Sequence, residues 1–304
     1  MKLDGSLELY FKYLRYEKNL TPNSIRSYSE DILQLHRFLY SNNINDTDQM
    51  DLASFRNFLK SIDGKKYANR TIIRKYSSYI NYFRFLEENK LTGIQLSQFI
   101  IVPRKRERLY TFLSKNEIEK LFDSMEIVNI LQIRDRLIVE LIYSTGARVG
   151  EVENIRLADI DSGKREIKVT GKGRKQRIVY INRKALYWLE RYLKESRPEL
   201  SFNKKLGTPT GDLHLLLNSN GGGLSSRSIN EIVRKYVRLA GIKKKITPHS
   251  IRHSFASHLL QGGAGIREIQ ELLGHENIST TEIYSHLDIK KIKDDYRRFH
   301  PRAK

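Results

Sequence analysis

The chain contains no cysteine. That removes disulfides, thiolate nucleophiles and cysteine-ligated zinc together, and it suits a reducing compartment, so a cytoplasmic protein is the expectation. No apolar run approaches the roughly 20 residues of a membrane-spanning helix, and Met1-Lys2-Leu3-Asp4 opens no signal-peptide pattern. Acidic charge is also short: 35 Asp and Glu stand against 55 Lys and Arg in 304 residues, a formal net charge of +20. A polyanionic partner is therefore expected, and without a membrane element nucleic acid is favoured over lipid. A Walker loop is missing as well, because G-K-G-R-K lacks the G-x-x-x-x-G-K-[ST] spacing.

What is present reads as two domains, each long enough for its own core. Residues 1–100 carry helical spacing: a first helix over Leu7–Tyr16, and a second opened by Thr21-Pro22 with Ile25, Tyr28, Ile32, Leu35 and Leu39 on one side. A third runs over Asp51–Leu59. A fourth runs over Asn69–Glu88 with Ile73, Tyr76, Ile80 and Phe83 inward. Lys66, Arg70 and Arg74 recur every four residues outside that stripe, either as a solvated face or as a basic ridge for phosphates. This half reads as a DNA clamp. Residues 101–108, with Pro103 and alternating basic residues, read as an exposed linker.

Residues 109–304 start with a capping box, Ser114 with Glu117, ahead of Ile118 and Leu121. A longer apolar helix then leads to Ser144-Thr145-Gly146, which places Arg148 at a turn into the next helix and Glu151 one turn on. Arg165–Thr170 and Gln176–Ile181 alternate as a hairpin whose basic tip carries Lys172, Arg174 and Lys175. A core helix around Trp188 follows, then a loop over Ser201–Thr210 and a basic helix over Ser225–Ala240 with Arg227 and Arg234 outward. Thr247-Pro248 opens a helix on which His249 and Arg252 share a face, with Phe255, Leu259 and Leu260 as its apolar positions. Gly262-Gly263 stops it. A short helix through Ile266, Ile269, Leu272 and Leu273 ends at Gly274, just before His275, and Tyr284 precedes a last basic helix.

These residues support one chemical proposal. A phosphodiester is open to attack without a metal if fixed cationic donors neutralise its non-bridging oxygens, and planar arginine forks meet that need. Arg148 and Arg252 are the candidates. Tyr284 is the candidate nucleophile, its phenol needing a base such as His249 and nearby arginines to become reactive. Lys172 is the candidate general acid for the leaving sugar hydroxyl, and His275 a donor to a phosphate oxygen.

With A-R-V-G-E, G-K-G-R-K, H-S-I-R-H-S-F-A, L-L-G-H and the tyrosine segment in this order, the chain resembles the tyrosine recombinase (phage integrase) family, in its Xer branch, along essentially its whole length. The resemblance implies a mainly α fold with a small β-sheet or hairpin (α+β). It implies an N-terminal helical SAM-like core-binding domain followed by a tyrosine-recombinase catalytic domain. It places Arg148, Lys172, His249, Arg252, His275 and Tyr284 around the phosphate, with Glu151 supporting the arginines. It further implies strand exchange on a double-stranded recombination site through a 3′-phosphotyrosine and a Holliday junction, with no cofactor, metal or ATP. Last, it implies a synaptic tetramer of this chain, held by a C-terminal exchange helix at about 288–299. That helix's stripe of Ile289, Ile292, Tyr296 and Phe299 would dock on a neighbouring protomer, packing on its own domain being the alternative. An accessory translocase is a candidate further partner.

Rival readings have their own signatures. His249 and His253, four apart, suit two zinc ligands, but the glutamate of H-E-x-x-H is absent. A relaxing type IB topoisomerase shares arginines and tyrosine but not the clamp and final helix. A DNA-binding protein without catalysis is a third class. Within the family, the absence of an arm-binding segment ahead of Leu7 favours resolution of chromosome dimers over integration of a mobile element.

Overall fold

The first helix, α1 (Leu3–Lys12), begins four residues before the predicted start and runs on through a wider turn at Tyr13–Glu17. Tertiary bonds cause the extension: the Leu3 N–H donates to Asn45 O at 3.0 Å and the Thr47 N–H to Met1 O at 2.8 Å, and Leu3 is fully buried. These details come from a computed structural model that describes the chain except residues 19, 21, 64–66, 103–110, 172, 174, 204–207, 210, 275–295, 297 and 303–304. It divides into two compact units, Met1–Arg108 and Leu109–Lys304. Most of the predicted linker lies outside the described residues.

In the first unit α2 (Pro22–Ser41), α3 (Leu52–Asp63) and α4 (Asn69–Glu88) join α1 around an aromatic core. Phe55 and Phe83 meet edge to face at 5.0 Å, as do Tyr10 and Tyr82 at 5.0 Å, the geometry that ring quadrupoles favour. The inward face of α4 differs from the periodicity reading. Lys75, Ser78, Tyr79, Tyr82, Phe83 and Leu86 are buried, whereas Ile73, Tyr76 and Ile80 are only partly so. The cause is a buried carboxylate on α2. Asp31 accepts from Lys75 Nζ at 2.9 Å, from Ser78 Oγ at 2.8 Å and from Arg74, which turns polar positions of α4 inward. Arg74, predicted on the outer basic ridge, thus spends its guanidinium on Asp31 and on the Ser27 carbonyl at 3.1 Å.

In the second unit α5 (Lys115–Asp123) carries the predicted capping box, with Glu117 N–H to Ser114 Oγ at 3.2 Å and Ser114 N–H to Glu117 Oε2 at 2.8 Å. The central helix is α6 (Ile130–Thr145), buried on every side from Leu137 to Thr145. Short α7 (Val149–Glu153) follows, then an antiparallel sheet ordered β1 (Ile160–Asp161), β2 (Glu166–Thr170), β3 (Gln176–Tyr180), with Thr170 opposite Gln176 at the hairpin mouth. Two-residue β1 carries no periodicity a sequence reading could find. Then come α8 (Arg183–Arg191), α9 (Arg197–Ser201), a minimal pair of strands β4 (Phe202–Asn203) and β5 (Thr208–Pro209) where a loop was predicted, and α10 (Ser226–Leu239). Thr247 caps α11 (Pro248–Gln261) and Gly274 ends α12 (Ile266–Leu273) in the left-handed region at φ 64°. Leu260 and Ile266, predicted inward, are exposed at the turn between these helices.

Of the described residues near the end of the chain, Tyr296, Phe299 and Arg302 pack on their own unit. Tyr296 is buried, with its hydroxyl 2.8 Å from Ser144 Oγ of α6, and Arg302 donates to buried Glu140 at 2.8 Å while lying over the Phe122 ring. This corrects the expectation that Tyr296 and Phe299 face a neighbouring protomer: both lie against the core of this unit. Ile289 and Ile292 lie outside the described residues.

His36 in the first unit and His300 in the second are buried in neutral form. His36 Nε2 lies 2.9 Å from the Tyr82 hydroxyl, and His300 Nε2–H donates to Tyr143 O at 3.2 Å while its Nδ1 accepts from the Arg302 N–H at 3.1 Å. Burial pulls both rings down to about 4. A folded-state pKa below the unfolded value of about 6.5 gives stability that is present above pH 6.5 and lost as pH falls through 4, on the order of 3 kcal/mol per ring. Urea midpoints measured at pH 7 and pH 4.5 should therefore fall steeply for the wild-type chain and less for His36→Gln or His300→Gln. Equal slopes in all three would contradict this.

Candidate active site

The site grows from the end of α6. Gly146 leaves that helix in the left-handed region at φ 61°, and a Cβ there would stand 2.5 Å from Phe255 Cδ1, so glycine is required by backbone and by space alike. The turn aims Arg148, the N-cap of α7, and Glu151, its third residue, at each other. Arg148 donates its N–H to Glu151 Oε2 at 2.7 Å and its Nη1 to Oε1 at 2.9 Å, while Nη2 reaches the Gly274 carbonyl at 3.1 Å.

Arg252 comes from α11. It is buried, donating Nη1 to Gly146 O at 2.6 Å and Nη2 to Leu273 O at 2.8 Å, with Glu151 Oε2 4.0 Å from Nη1. Two helix ends, at α6 and α12, thereby lend their last carbonyls to fix one guanidinium. Burial, and then the Arg148 charge beside it, pull Arg252 down to about 10 against the pull of Glu151, so it stays charged at neutral pH. Glu151 is the hub. Burial alone would raise its carboxyl, but Arg177 and the donors of Arg148 outweigh that and hold it below the usual range.

Arg177 on β3 is the member that sequence reasoning passed over. Its Nη1 and Nη2 donate to Glu151 Oε1 and Oε2 at 2.6 and 2.9 Å. Strand alternation held the signal: Arg177 shares a face with buried Val179, and an arginine on an inward face needs a carboxylate. Three guanidinium groups around one carboxylate leave a surplus of two positive charges, and Arg148, its side chain 43% exposed, is the most accessible of the three.

The structure brings together Arg148, Glu151 and Arg252 of the predicted set. His249 is exposed on the first turn of α11, its ring edge to face with His253 at 4.5 Å. His258, read as structural, is buried and lies 2.9 Å from the Tyr143 hydroxyl. Lys172, Arg174, His275, Tyr284 and Lys66 lie outside the described residues, as does the Arg70 side chain. Lys175 is exposed at the hairpin mouth, and Arg227 is exposed on α10 in an i,i+4 pair with Glu231 at 3.2 Å. Among the described residues no three His, Asp or Glu side chains group as metal donors would, and no helix is long and apolar enough to cross a membrane.

The fold is thus a helical unit and a mainly helical unit with a small sheet, the second gathering Arg148, Arg177 and Arg252 around the buried Glu151 carboxylate. The family follows from comparison with known proteins. The chain belongs to the phage integrase family, in its Xer branch: residues 111–291 match the model of the phage integrase family and residues 7–90 that of the phage integrase N-terminal SAM-like domain. It is 36% identical over 298 residues to the tyrosine recombinase XerC of Anoxybacillus flavithermus, covering 98% of each chain. It is 35% identical over 301 residues to the tyrosine recombinase XerD of Staphylococcus saprophyticus, covering 99% of this chain and 100% of the relative. The fold is shared with a solved lambda integrase tetramer bound to a Holliday junction, with a TM-score of 0.68 at 18% identity over 98% of this chain and 79% of that one.

Proposed function

We propose that this chain is a site-specific DNA recombinase that cuts and rejoins double-stranded DNA through a 3′-phosphotyrosine, and that its substrate is a chromosomal dimer-resolution site. The observation that carries the reading is the pair of Arg148, held on Glu151, and Arg252, held beside it on the Gly146 and Leu273 carbonyls, a donor set suited to the non-bridging oxygens of one phosphodiester. In the first step the Tyr284 oxygen forms a bond to phosphorus and the bond to the 5′ oxygen breaks. The phenol proton passes toward His249, and Lys172 supplies the proton that the leaving 5′ oxygen takes. His275 donates to the phosphate. A 5′-hydroxyl from the partner duplex then reverses the step, and because one ester replaces another the bond energy is kept for rejoining.

Similarity along nearly the full chain to both XerC and XerD supports the chromosomal role, and the net charge of +20 supports the DNA partner. The lambda integrase tetramer on a Holliday junction supports exchange by an assembly of four protomers. Lys66, Arg70, Arg174, Lys175 and Arg227 are the proposed backbone contacts. The test is to map covalent protein–DNA cleavage sites across the genome of the source cell, with chelator present during capture. One site near the replication terminus is expected. Sites at the boundaries of mobile elements would replace the chromosomal role with integration, and adducts lost with chelator would bring back metal chemistry.

A further inference from the structure

Arg177 sits where the hairpin meets the arginine pair. It enters from β3, and a Cβ on Gly171 across the hairpin mouth would stand 3.2 Å from Glu151 Oε1, so that glycine lets the strand ends close on the carboxylate. On its other side the Arg177 stem fills the space beside Gly274, where a Cβ would lie 3.0 Å from its Cδ. The side chain is thus wedged between the hairpin and the end of α12, the same end whose carbonyls receive Arg148 and Arg252.

We propose that Arg177 is a positioning residue for strand cleavage: by holding both Glu151 oxygens it fixes the carboxylate that sets Arg148, and keeps that carboxylate from drawing Arg148 and Arg252 away from the phosphate. The shared acceptors carry the argument. Oε1 receives Arg177 Nη1 and Arg148 Nη1, and Oε2 receives Arg177 Nη2 and the Arg148 N–H. Arg252 Nη1 waits 4.0 Å from Oε2, beyond hydrogen-bond range, so it stays on the Gly146 carbonyl at 2.6 Å. Without Arg177 the buried carboxylate has two guanidinium groups left to satisfy it, and the surplus facing an incoming phosphate falls from two charges to one. An arginine placed only to hold the hairpin would need no carboxylate shared with Arg148.

The inference rests on the strand-cleavage reading, and the experiment separates the two. Single-turnover covalent cleavage of a nicked suicide duplex is measured beside DNA affinity and melting temperature for the wild-type chain, Arg177→Lys, Arg177→Gln and Glu151→Gln/Arg177→Gln. Arg177→Gln is expected to slow cleavage about 100-fold, as small misplacements of reacting groups do, while affinity stays within about threefold. Arg177→Lys, with the charge but not the fork, falls between. The double variant cuts no more slowly than Arg177→Gln, because the charge that Arg177 restrains is gone, and it keeps the test open if the single variant fails to fold. A substrate with sulfur at the 5′ bridging position, whose leaving group needs no proton, does not rescue Arg177→Gln. Full rescue by sulfur, multiplying losses in the double variant, or wild-type cleavage by Arg177→Gln would each overturn the inference. A wild-type chain that forms no adduct would instead overturn the cleavage reading itself.

Discussion

Arg252→Ala slows covalent cleavage by about 10³-fold, in the range found when a fixed donor to a developing oxyanion is removed. It also lowers the stability of the second unit by roughly 2–4 kcal/mol, because the carbonyls of Gly146 and Leu273 are left without partners in the interior. The stability loss is moderated by the cost of burying the guanidinium itself, whose pKa has been pulled down to about 10. Arg252→Lys restores little, since one ammonium cannot span two helix ends as the fork does. Single-turnover kinetics and thermal melts on the same preparations check both numbers. Normal cleavage with lowered stability would reduce Arg252 to a strut between α11 and its neighbours.

Tyr284→Phe abolishes the covalent adduct, with cleavage down at least about 10⁴-fold as for loss of a nucleophile elsewhere, while DNA affinity holds. The ring survives in phenylalanine, so a packing role would leave cleavage intact and only the loss of oxygen is read out. Gel shifts on the intact site and denaturing gels on the suicide substrate measure the two quantities side by side. Adducts formed by Tyr284→Phe would move the nucleophile elsewhere.

The arginine pair was legible in the sequence because its supports are local. Thr247-Pro248 fixes the start of α11, so Arg252 lands one turn in, and Gly146 ends α6 two residues before Arg148. Where the reading failed, a distant group had overridden local pattern. Asp31 of α2 turned Lys75 and Ser78 of α4 inward, which no periodicity within α4 reveals. Arg177 is not legible from local pattern because its partner lies 26 positions away, with β1 and β2 between them. A single apolar stripe does not say whose core receives Tyr296; its hydroxyl beside Ser144, 152 positions earlier, does. Capping residues and glycines are short-range information, whereas buried charge pairs are tertiary.

If Tyr284 takes a phosphate held by Arg148 and Arg252, the covalent adduct carries its nucleotide on that phenol. The most direct measurement digests the wild-type covalent adduct, trapped on a nicked duplex in the presence of chelator, and identifies the peptide that carries the nucleotide by mass spectrometry. A 3′-phosphate ester on Tyr284 is the expected result. Nucleotide on any other side chain, or cleaved DNA with no protein attached, would contradict it.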